Sequence, residues 1–168
     1  MDLNHRQTYG SETVVDSGAP SVAGPPEHVD VLNELLADWL VFDQKLRSFR
    51  WTVTGPRCFE LRTKFDELFR QAGRVVDDLG ERVVALGGRP IGSLLQALGT
   101  TALLESSSPV TARQMVETVA ADITSLLGTL RAVAAQAEHG GDRATCNTVE
   151  THADDFEKSL WMLRAWLA

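Results

Sequence analysis

Cysteine is almost missing from this chain: among 168 residues there are two, Cys58 and Cys146. A disulfide framework is excluded, and a domain of this length buries a core without one. Long apolar runs are missing as well. No uninterrupted stretch approaches the 18 residues of a membrane span; the stretch 35–42 is broken by Asp38 and meets Asp43. The first residues hold no apolar segment of the signal-peptide kind. These absences predict a cytoplasmic chain with reduced thiols and no membrane partner. Lysine is scarce: Lys45, Lys64 and Lys158 stand against 13 arginines. A metal-binding Glu-x-x-His motif, a Cys-x-x-Cys pair, a glycine-rich phosphate loop and a nucleophile–base pairing are all missing. The four histidines, His5, His28, His139 and His152, have no partner at metal spacing.

What is present is mildly acidic and strongly helical. Sixteen basic residues against 23 acids give a net charge of −7. Residues 1–28 hold Arg6 against Asp2, Glu12, Asp16 and Glu27, a net −3, and the remainder is acidic too. A wholly basic nucleic-acid binder is therefore excluded. Residues 1–28 are rich in Gly, Ser and Pro without a period, which predicts a disordered arm closed by Pro25-Pro26. A single domain over 29–168 is expected to follow it.

From residue 29, apolar side chains recur at steps of three and four. Leu32, Leu35, Leu36, Trp39, Leu40, Leu46 and Phe49 predict a helix over 29–53, stopped by Gly55-Pro56. A second helix is predicted over 59–86, with Leu61, Phe65, Leu68, Phe69, Ala72, Val76, Leu79 and Val83 inward and Gly87-Gly88 closing it. A short helix over 91–98 and a loop over 106–109 follow. The third long helix runs from a Thr111–Gln114 capping box to about residue 139. The fourth starts at Asp142 as N-cap and ends on Leu160, Met162, Leu163, Trp166 and Leu167. The expected fold is all-α. Two short connections and one long crossover, carrying its own short helix between helices two and three, make the ferritin-like four-helix bundle.

Residues 50–90 are the most specific stretch. They contain Arg50-Trp51-Thr52-Val53-Thr54-Gly55-Pro56, Phe59-Glu60-Leu61, Phe65-Asp66-Glu67-Leu68, Asp77, Glu81-Arg82 and Ala85-Leu86-Gly87-Gly88-Arg89-Pro90. The last turns read Glu157-Lys158-Ser159-Leu160-Trp161-Met162-Leu163-Arg164-Ala165. From about Leu32 onward the chain resembles the Dps family, the mini-ferritins called DNA-binding proteins from starved cells. The resemblance implies a hollow twelve-subunit shell with ferroxidase sites at twofold interfaces, oxidation of iron by peroxide, iron storage, and often DNA protection.

Spacing supports an intersubunit site independently. Positions 62 and 77 lie 15 residues apart on one helix, roughly 22 Å, and cannot meet within one chain. Two antiparallel copies about a twofold near Arg70 would set 62 and 66 of one against 77 and 81 of the other. Here the chain departs from the family pattern. Arg50 and Arg62 stand where the resemblance implies histidine ligands, while the carboxylate positions are kept as Asp66, Asp77 and Glu81. A guanidinium is permanently protonated and has no lone pair for iron. Two readings follow: the three carboxylates still bind iron weakly, or they are salt-bridge partners, with Arg50 and Arg62 of one subunit facing Asp77 and Glu81 of the other and Arg62 and Asp66 also an i,i+4 pair.

Lesser positions carry two readings as well. The resemblance implies a radical-scavenging role for Trp51, against plain interface packing. Cys58 beside Arg57 is either redox-sensitive or inert. The resemblance places an acid-lined pore near the start of helix four. Asp142 stands at one such place and Asn147 where a second acid is common, with Glu150, Asp154 and Asp155 as further candidates or as a solvated face. The arm has no lysine, so DNA binding through a basic tail is expected to be weak or absent. Three functions compete: a stress-related Dps-like shell without its ferroxidase centre, an active iron-oxidising mini-ferritin, and a nucleoid-associated protein packing DNA. Whether the chain is an enzyme turns on the first two.

Overall fold

The structure, a computed structural model, describes residues 26–106 and 110–168. Residues 1–25 of the expected arm and residues 107–109 of the expected loop lie outside them. Five helices occur among the described residues: α1 (Pro26–Thr52), α2 (Cys58–Ala85), α3 (Leu94–Thr100), α4 (Ala112–His139) and α5 (Arg143–Leu167). Helices α1 and α2 pack together, as do α4 and α5; α1 also meets α3 and α4, and α2 touches α5. This is the expected all-α bundle with its small helix in the crossover.

Helix α1 is the axis of the core. Leu32, Leu35, Leu36, Ala37, Trp39, Phe42, Leu46 and Phe49 are all buried on it. Trp39 meets Phe156 of α5 edge-on at 4.7 Å between ring centroids, and Phe42 at 5.6 Å. Helix α4 is long and apolar enough by composition to cross a membrane. Its apolar side chains are instead spent inside the bundle, where Met115, Val119, Ile123, Leu126, Leu130 and Val133 are buried.

Several ends form as their residues dictate. Thr111 and Gln114 make the reciprocal capping box of α4, and the Asp142 carboxylate accepts the Thr145 N–H of α5. Two helices differ from expectation by more than one residue at an end. Helix α1 begins at Pro26 rather than 29, since proline suits the first helical position. Its first turn lies on two glycine turns: a Cβ on Gly88 would come within 2.6 Å of Val29, and one on Gly140 within 2.6 Å of His28. The crossover helix is Leu94–Thr100, not 91–98. Asn33 explains the shift, because its side-chain oxygen takes the Ile91 N–H at 2.9 Å and its amide donates to the Arg89 carbonyl at 3.1 Å. Residues 89–91 are thus held to α1, and Ser93 caps the helix through the Gln96 N–H. On α2, Val75 is buried, whereas Phe69 and Val76 are only half-buried at the edge of the core.

Two buried polar groups on α1 fix its neighbours. One Asp38 oxygen accepts from the Thr101 hydroxyl and the Ala102 N–H, both at 2.7 Å, which ties down the end of α3. Lys45 donates to Asp122 of α4 at 2.6 Å. Burial pushes the Asp122 carboxyl above its ordinary 3.8, and the Lys45 ammonium only partly offsets this. Asp122→Ala strands the Lys45 charge inside the bundle, so it is expected to cost about 3–5 kcal/mol in urea unfolding. The paired substitution Lys45→Met with Asp122→Leu is expected to cost far less; equal losses would show that the charge pair is not what matters.

Candidate functional site

The residues predicted for the interface site lie on two packed helices, α1 and α2. Arg50 belongs to the last turn of α1, and a short turn through Gly55 returns the chain into α2. That reversal places Arg50 beside the third turn of α2. Its Nη1 donates to Asp66 Oδ1 at 2.5 Å, and Arg70 Nη2 meets Asp66 Oδ2 at 2.6 Å. Both oxygens of the central carboxylate therefore hold guanidinium groups. The i,i+4 partner of Asp66 is Arg70, one turn on, and not Arg62 as the spacing also allowed.

Phe69 forms the floor of this cluster. The Arg47 and Arg50 guanidinium carbons lie 4.5 and 4.6 Å from its ring centroid. Arg47 also pairs with Asp43 one turn back at 3.2 Å. Burial raises the Asp43 carboxyl above 3.8 against the pull of Arg47 and Arg50, and Asp77 adds to the rise. Asp43 is the site residue that the spacing missed. Its only sequence signal was a charge next to the apolar stripe of α1, which gave no hint that α2 would pass close to it.

Arg62, Asp77 and Glu81 present a different picture. All three are exposed, and none makes an ion pair among the described residues. Asp77 lies 11 residues beyond Asp66, about 16 Å along α2, so one chain does not bring the three carboxylates together. Among the described residues, no group of three metal-ligating side chains is close enough to hold an ion. At 100° per residue, positions 62, 66, 77 and 81 fall within one arc of about 100° on α2. Trp51, at the end of α1, is 61% exposed.

The start of α5 forms a second polar region. Asp142 is engaged inside the chain: Arg82 donates to its carboxylate at 2.7 Å and to the Thr145 hydroxyl at 2.7 Å. Burial works to raise the Asp142 carboxyl, but hydrogen bonds from Thr145 and Arg82 outweigh it and hold the group below 3.8. Asn147, Glu150, Asp154 and Asp155 are exposed on α5. Asn147 and Glu81 line an open groove of about 560 Å³ between α2 and α5, where His152 Nε2 lies 2.8 Å from Asp78. Burial, followed by the charge of Glu150, pushes the Cys146 thiol up. Cys58 is the half-buried first residue of α2.

A ferritin-like domain model matches residues 29–168. The chain is 36% identical over 137 residues to the DNA protection during starvation protein of Brevibacillus brevis, covering 82% of this chain and 92% of that one. It is 34% identical over 139 residues to general stress protein 20U of Bacillus subtilis, covering 83% and 96%. Among solved structures, Dps from Staphylococcus aureus superposes with a TM-score of 0.83 at 33% identity, covering 87% of this chain and 98% of that one. Vibrio cholerae Dps, described as a member of a broad superfamily of ferritin-like diiron-carboxylate proteins, gives 0.84 at 28% identity, covering 90% and 100%.

The Asp142 arrangement is directly testable. Asp142→Ala removes an N-cap and leaves Arg82 half-buried without its carboxylate, an expected loss of about 2 kcal/mol. Because the native carboxyl lies below the unfolded value, its contribution is complete above 3.8 and fades as pH falls through the native value. Urea unfolding across that range is expected to show the gap between wild type and Asp142→Ala closing in acid; a gap that stays constant contradicts the assignment.

Proposed function

We propose, for a chain that belongs to the Dps family of ferritin-like proteins, a cytoplasmic stress-protection shell subunit whose twofold interface carries an arginine–carboxylate cluster in place of an iron-oxidising centre. The observation that supports it most is the double engagement of Asp66 by Arg50 and Arg70. A ferrous ion at this carboxylate would have to displace two guanidinium groups and then sit among permanent positive charges. Arginine offers it no lone pair in return.

In this reading the subunit works as a dimer within a twelve-subunit shell. Arg62 and Glu81 are centred on the same point of α2 as Asp66 and Asp77, between positions 71 and 72. A twofold axis there sets the exposed Arg62 of each copy against the exposed Glu81 of the other, and Asp66 opposite Asp77. Forked arginine–carboxylate bonds fix such a register, although desolvation offsets much of the attraction. Relatives are named for DNA protection and general stress. Protection here works through assembly, since residues 1–28 carry net −3 and repel a phosphate backbone.

Aerobic oxidation of Fe²⁺, followed by ferric absorbance, tests the reading. The protein is expected to oxidise iron no faster than buffer does. A saturable acceleration that disappears in the Asp77→Ala, Glu81→Ala variant would instead establish an active mini-ferritin working through its remaining carboxylates.

A further inference from the structure

We draw no further inference here: the strongest candidate, the exposed apolar patch on the crossover made by Leu94, Leu95 and Leu98 of α3 with Leu104 beyond it, carries nothing because nothing in the structure shows what covers it.

Discussion

A guanidinium cannot give up its proton at any pH a protein survives, and it has no lone pair to offer a metal. Arg50 brings that constraint from the last turn of α1 onto Asp66 of α2, and Arg70 closes the other carboxylate oxygen. Together they turn a potential ligand into a helix-to-helix tie. The tie is partly exposed, so its net worth to stability is modest. Its importance is positional: it joins the end of α1 to α2 at Asp66. Phe69 beneath Arg47 and Arg50 keeps both guanidinium groups against α2.

The cluster can be placed this way because α1 is anchored along its whole length. Its apolar residues form the core, Asp38 holds the end of α3, and Lys45 reaches Asp122 on α4. Asn33 holds the start of the crossover, and Val29 and His28 lie on the glycine turns after α2 and α4. Each of these contacts limits the rotation of α1 about its axis. Arg50 therefore arrives beside Asp66 through the packing of the bundle as well as through the turn at Gly55.

Much of this was legible in the residues. The three- and four-residue periodicity located four long helices, and the Thr111–Gln114 box and the Asp142 cap marked two starts to the residue. Local side-chain chemistry sets such features. The crossover helix was displaced because Asn33, far away in sequence, binds the Ile91 N–H. At the site, the sequence named Arg50 and Asp66, and the structure brings these two together. The choice of Arg70 over Arg62 as helical partner of Asp66 could not be read from the sequence, because both lie one turn away. Asp43 went unnoticed for a related reason: its environment is made by α2, and the sequence of α1 carries no mark of that approach.

The chain keeps the helical fold of its family. In the proposed reading its twofold interface is built from ion pairs, and the double engagement of Asp66 is the observation that supports it. Crystals soaked aerobically in Fe²⁺ and measured at the iron edge put this to the most direct test. The account predicts no ordered iron at the interface, with Asp66 still bound to Arg50 and Arg70. A well-occupied anomalous peak among Asp66, Asp77 and Glu81 would contradict it.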